Sequence, residues 1–93
     1  MGKVILQGHI IVPDDDLDVV TRELVEHIQL TSAEPGCLLF SVTVDEQNTH
    51  KFDVYEEFVD QTAFDKHQLR VKQSTWGRVT KKVERHYLIS QGE

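Results

Sequence analysis

Glu34-Pro35-Gly36, Cys37-Leu38-Leu39-Phe40-Ser41-Val42-Thr43-Val44, Asp45-Glu46-Gln47-Asn48-Thr49-His50 and Phe52-Asp53-Val54-Tyr55-Glu56-Glu57-Phe58 follow one another in mid-chain. They read as a turn, a strand, a polar loop of hairpin length and a second strand. Strict alternation puts Leu38, Phe40, Phe52, Val54, Glu56 and Phe58 on one side of this hairpin. Leu39, Ser41, Thr43, Tyr55 and Glu57 fall on the other, with Val59 just beyond. Glu56 is then the single carboxylate on the more apolar side.

Upstream of the hairpin, Val4 to Val12 is rich in β-branched residues and apolar on nearly both sides, as a central strand covered on two faces would be. Gly8 in its middle marks a bulge or a close approach by another segment. Pro13 ends the strand, and Asp14-Asp15-Asp16 supplies an expected N-cap and negative charge for a helix of about five turns. Leu17, Val20, Leu24 and Ile28 form the stripe of that helix.

Downstream of the hairpin, Asp60 is the expected cap of a second helix, with Ala63, Phe64, His67 and Val71 along one side. Lys72 to Val83 reads as a further helical piece with Trp76 and Val79 inward. Arg85 to Ile89 is a fourth strand. The order β-α-β-β-α-β predicts an α+β, ferredoxin-like sandwich, a four-stranded antiparallel sheet with its helices on one face. The other face, with Leu39, Tyr55 and the outward residues of the first strand, is too apolar to be left in water, so a homodimer packed sheet on sheet is expected.

The chain has 93 residues, enough for one domain over 1–93 with one two-layer core. Sixteen Asp and Glu against ten Lys and Arg give a formal charge of −6, which argues against a nucleic-acid partner because phosphate binding needs clustered cations. The basic residues from Arg78 to Arg85 read as the solvated side of a helix. No run approaches the ~18 apolar residues of a membrane span, and no export signal precedes the first strand. Cys37 is the one cysteine, so no internal disulfide can form, and a reduced, cytoplasmic setting is expected. His9, His27, His50 and His86 combine with no carboxylate at a ligand spacing, so no metal and no cofactor is assigned.

Glu34-Pro35-Gly36-Cys37-Leu38, then Phe52-x-Val54-Tyr55-Glu56-Glu57-Phe58, then Ala63-Phe64-x-x-His67 resemble the antibiotic biosynthesis monooxygenase domain over nearly the whole chain. The resemblance implies a dimeric α+β barrel with a pocket in each subunit between sheet and helices. It implies chemistry drawn from a mixed family: oxygenases that turn hydroquinones and phenols into quinones without a cofactor, an enzyme of the autoinducer-2 signal, and haem-degrading enzymes. Haem degradation fits least, because those members use an Asn, a Trp and a His together and Asn48 here lies in the hairpin loop.

On this footing His67 is the expected base, since an imidazole titrating near 6.5 can take a phenolic proton. Glu56 is a second catalytic candidate; its competing role is a buried acceptor bonded to backbone or to an Arg such as Arg85. Arg85 itself is a candidate stabiliser of a phenolate oxygen. Phe40, Leu38, Phe58, Phe64, Trp76 and Tyr87 are the expected substrate-binding surface. The implied reaction is cofactor-independent oxygenation of a small aromatic hydroquinone or phenol. The alternatives are chemistry on a small hydroxy-ketone of the autoinducer-2 type, or a non-catalytic dimeric module that binds a small molecule.

Overall fold

A computed structural model of the chain describes residues 2–92; Met1 and Glu93, the two ends of the expected domain, lie outside them. Four strands, β1 (Val4–Ile11), β2 (Cys37–Val44), β3 (Lys51–Phe58) and β4 (Glu84–Gln91), alternate with α1 (Leu17–Ser32), α2 (Gln61–Lys72) and a short α3 (Thr75–Val79). The sheet is antiparallel throughout in the order β2-β3-β1-β4. This is the ferredoxin-like α+β arrangement that the hydrophobic pattern predicts.

The near-continuous apolar run of the first strand is explained by its place: β1 is central, pairing Val4 with Phe58, Leu6 with Glu56 and Ile10 with Phe52 on one side, and β4 on the other. Val4, Leu6, Ile10, Phe52, Val54 and Phe58 form the sheet side of the core, and Val20 from α1 and Phe64 from α2 close it from above. Gly8 is the point of close approach. A Cβ there would lie 1.9 Å from the carbonyl oxygen of His86, so any side chain would push β4 off the sheet.

Four expectations change. The three aspartates form a separate 3-10 turn, Asp14–Asp16, and no aspartate side chain caps α1; Asp14 is held instead by His50 Nε2 at 2.9 Å. Their charge still sits at the positive end of α1, where it is favourable. Next, the basic residues after Val79 lie past the end of α3 rather than along a helix. Third, the helices leave β4 open: α1 packs on β2 and α2 on β3. Ile89, on the helix side opposite Leu6, is therefore 51% exposed, and Leu88 on the reverse side is 65% exposed.

The fourth change is in the opening hairpin. Cys37 pairs with Phe58 and Leu39 with Glu57, so two residues of β2 advance against one of β3, and Leu38 is the extra residue of a β-bulge. Cys37 takes the core-side position and packs against the buried cluster. Leu38 is 53% exposed instead of facing the helices.

The turn before β2 needs its glycine. Gly36 has φ +88°, and a Cβ there would come within 2.6 Å of the Ala63 Cβ. Gly36→Ala is expected to destabilise the protein by about 1–3 kcal/mol, from backbone strain and a displaced α2; urea unfolding of the variant beside the parent measures it. No helix among the described residues is long and apolar enough to cross a membrane.

Candidate active site

Asp60 caps α2 as its sequence position predicts, accepting a hydrogen bond from the Ala63 amide at 2.9 Å. That fixes the helix phase and points Phe64 and His67 inward. His67 is only 3% exposed and lies against the Phe58 ring, with centroids 4.8 Å apart. Its Nδ1 is 2.8 Å from Glu34 Oε1.

Glu34 belongs to the turn that introduces β2, and its other oxygen accepts from the Arg70 guanidinium. Arg70 also donates to the buried Thr31 of α1 at 3.0 Å. The turn, α1 and α2 are thus tied together at one point. A carboxylate held by an arginine can only accept, so Nδ1 of His67 carries the proton and Nε2 presents its lone pair. That Nε2 is 3.7 Å from Glu56 Oε1, a gap wider than a hydrogen bond.

Although Glu34 stands at ion-pair distance, burial outweighs it and pushes the His67 pKa below its usual value, with Arg70 adding to the fall. The ring is therefore neutral near pH 7. Burial, and then the negative charge of Glu34, raise the Glu56 carboxyl from 4.5 to about 7. Two neighbouring groups have been moved so that a neutral base and a protonated acid coexist near neutrality.

These groups face a cavity of about 200 Å³ with walls from the sheet, α1, α2 and α3. Leu6, Ile10, Val42, Val54 and Val71 make its apolar part. Of the residues predicted from sequence, His67, Glu56, Arg85, Phe40, Trp76 and Tyr87 line it together. Arg85 does not bond Glu56; its guanidinium donates to Thr80 Oγ1 at 3.0 Å, and Glu56 Oε1 is left without a partner. Tyr87 is 38% exposed in the protomer, so water reaches part of the ring. Its phenol is nonetheless raised to about 12, by desolvation first, with Arg85 opposing. It remains a donor at any ordinary pH.

Phe58 and Phe64 are placed differently. They are buried against each other, centroids 5.6 Å apart, behind His67 rather than on the cavity wall. Leu38, displaced by the bulge, is not part of the cavity at all.

Sequence reasoning passed over Glu34 and Arg70 as site residues and set His27 aside. His27 is buried, stacks on Trp76 with ring centroids 4.4 Å apart, and meets the edge of Phe40 at 5.2 Å. Burial, then the charges of His67 and Arg70, push its pKa down to about 3. The signal was available: His27 stands seven residues after Val20 and three after Leu24, on the stripe that was credited to Ile28. A second, more open cleft of about 430 Å³ between α1 and α2 shares His27 and Trp76 with the inner cavity. Among the described residues no three His, Cys, Asp or Glu side chains are grouped to hold a metal ion.

Several solved structures share this fold. A conserved protein of unknown function from Bacteroides thetaiotaomicron superposes with a TM-score of 0.77 at 12% identity, covering 97% of both chains. A Pseudomonas aeruginosa protein gives 0.73 at 21% identity, over 98% of this chain and 92% of that one. A structure named antibiotic biosynthesis monooxygenase gives 0.71 at 22% identity, over 100% of this chain and 97% of that one. Identities this low establish the fold and transfer no substrate. No curated protein matches the chain. Residues 3–74 match the family described as Antibiotic biosynthesis monooxygenase, and with that match spanning α1, the hairpin and α2, the chain belongs to this family.

Proposed function

We propose that this chain is a cofactor-independent monooxygenase acting on a small phenol or hydroquinone. The observation that supports this reading is the state of His67: its Nδ1 is bonded to Glu34, and its Nε2 faces Glu56 across 3.7 Å at the wall of a small cavity lined by both polar and apolar side chains. Nε2 takes the phenolic proton. Protonated Glu56 donates to the phenolate oxygen, and Arg85 supplies positive charge nearby.

The anion passes one electron to dioxygen. The phenoxyl radical and superoxide combine to form a C–O bond at a ring carbon that bears hydrogen. His67 returns its proton to the peroxide, the ring hydrogen leaves as a proton, and the O–O bond breaks. One oxygen atom stays in the quinone and the other departs as water, so one dioxygen is used per turnover. The protein's part is a small cavity, a base and a stabilised anion.

Oxygen uptake with a panel of one-ring phenols and hydroquinones in chelator-treated buffer tests the reading. Uptake accompanied by a quinone absorbance supports it, and no uptake with any compound overturns it. In that event the neighbouring acid and base of Glu56 and His67 favour proton transfer on a small hydroxy-ketone instead, a reaction that needs no oxygen.

The working unit in this reading is a homodimer formed through the sheet. Leu39, at 49% exposure, and Leu88, at 65%, stand on the face away from the helices and support that pairing. Light scattering at micromolar concentration is expected to give twice the protomer mass, and Leu88→Asp is expected to shift the protein toward the monomer. A parent protein that is monomeric there would remove the dimer from the proposal.

A further inference from the structure

His67 stands at the end of a chain of contacts that begins on α1. Thr31, in the last turn of that helix, is fully buried and makes two of them. Its carbonyl accepts from the Glu34 amide at 3.0 Å, and its hydroxyl accepts from Arg70 Nη2 at 3.0 Å. The Glu34 carbonyl accepts in turn from the Cys37 amide at 3.1 Å, so the main chain of Glu34 is held from both sides. Arg70 Nε donates to Glu34 Oε2, which leaves Oε1 for His67 Nδ1 at 2.8 Å.

The links leave little freedom. Nε and Nη2 share one edge of a planar guanidinium, so Arg70 cannot turn without losing Glu34 and Thr31 together. Were Nδ1 of His67 the bare nitrogen, its lone pair would face a carboxylate oxygen across 2.8 Å, and only the Nδ1–H form makes that contact attractive. The other nitrogen, Nε2, is then bare on the side of Glu56. Arg70 borders the outer cleft, and neither it nor Glu34 lines the inner cavity.

We infer that Glu34 and Arg70 are positioning residues for the reaction: Glu34 fixes which nitrogen of His67 is bare, Arg70 fixes Glu34, and Thr31 anchors both to α1. The inference rests on the reading of His67 as the base, and it holds for oxygenation and for proton transfer on a hydroxy-ketone alike. A base needs its bare nitrogen on the substrate's side, and a third group behind it sets that orientation. Burial lowers the His67 pKa most; Glu34 opposes that fall and Arg70 adds to it. Arg70 thus keeps the nearby carboxylate from leaving the base already protonated.

The first test needs no substrate. Long-range nitrogen–proton correlation spectra of isotope-labelled protein at pH 8 tell the two neutral forms of an imidazole apart, and His67 is the ring missing from the spectrum of His67→Gln. In the parent His67 is expected to carry its proton on Nδ1 alone. In Glu34→Gln one carbonyl oxygen cannot serve both neighbours. The charge of Arg70 takes it, the amide NH2 turns to Nδ1, and the proton moves to Nε2. If Glu34→Gln does not fold, Glu34→Met, which has no oxygen to offer, is expected to give a mixture of the two forms.

The second test is a double-mutant cycle on kcat for oxygen uptake. Glu34→Gln is expected to lower kcat by roughly 10²-fold, and Arg70→Met by roughly tenfold, the worth of one charge-assisted hydrogen bond. Added to Glu34→Gln, Arg70→Met is expected to cost no further rate, because it acts through Glu34. Arg70→Lys keeps the charge and should recover part of the loss. A parent His67 protonated on Nε2, a Nδ1–H form that persists undivided in Glu34→Gln or in Glu34→Met, or a further tenfold loss in the double variant overturns the inference. Its failure is separable from that of the reaction: the expected tautomers without oxygen uptake keep the positioning roles and remove the oxygenase, and uptake with a tautomer indifferent to Glu34 does the reverse.

Discussion

His67→Gln is expected to lower oxygen uptake by roughly 10²- to 10⁴-fold, the span ascribed to a positioned general base. Glutamine is close to histidine in reach and keeps an amide for Glu34, so the tie between the turn and α2 survives while the basic nitrogen is gone. The loss should therefore appear in kcat far more than in stability. The pH profile of the parent sharpens the point. His67 must be neutral, and its pKa lies below the usual 6.5, so activity rises with pH on the acid side. Glu56 must be protonated to donate, so activity falls again as pH passes about 7. The profile is a bell. In Glu56→Gln the alkaline limb near 7 should vanish while the acid limb remains. An unchanged alkaline limb in that variant would remove Glu56 from the mechanism.

Glu56→Gln is also expected to make the protein more stable at pH 8, by about 3 kcal/mol, and to leave it unchanged near pH 4. The carboxyl is raised from 4.5 to about 7 in the folded protein. A raised folded pKa means that the fold favours the protonated form. That contribution is fully present below 4.5, and it is lost as pH rises through about 7. At 1.36 kcal/mol per unit, the shift sets the size of the gain when glutamine, which has nothing to ionise, takes its place.

His27 works in the opposite direction. Its pKa is lowered from 6.5 to about 3, so its contribution is present above 6.5 and is lost as pH falls toward 3. Between 4.5 and 6.5 the slopes of Glu56 and His27 offset each other, and the lowered pKa of His67 leaves a net gain in the stability of the parent protein as pH rises. In Glu56→Gln that rise becomes steeper. Urea midpoints at half-unit pH intervals check both. Equal stabilities of parent and variant at pH 8 would mean that Glu56 is solvated or paired in solution.

The sequence carries the order of the elements plainly, for reasons that are local. Pro13, the Glu34-Pro35-Gly36 turn and the Asp60 cap punctuate runs whose period is either two or near four, and each boundary is set within a few residues of chain. His67 and Glu56 are legible for the same reason, since each lies in phase with large apolar neighbours. What is not legible depends on a break in phase or on distance. Leu38 is misplaced because alternation assumes one residue per step, and the bulge uses two. His27 is passed over because a neutral, stacked imidazole behaves as an aromatic, while by residue type it counts as polar. Glu34 lies 33 positions before His67, and nothing in the spacing of a turn and a later helix announces that they meet. The openness of β4 depends on where the helices lie across the sheet, which no single strand encodes.

The bulge at Leu38 also governs how this hairpin can be lined up with other chains. From Leu39 onward the residues of β2 alternate in step with β3, and Phe40 stands opposite Glu56. Before Leu39 the count is out by one. In a chain that lacks the extra residue, the position before its Leu39 equivalent faces the core, and a column-by-column alignment run through the Pro-Gly-Cys-Leu turn will equate it with exposed Leu38. Cavity residues should therefore be matched by counting back from Phe40, and the turn anchored separately on Gly36, with a one-residue gap allowed between them.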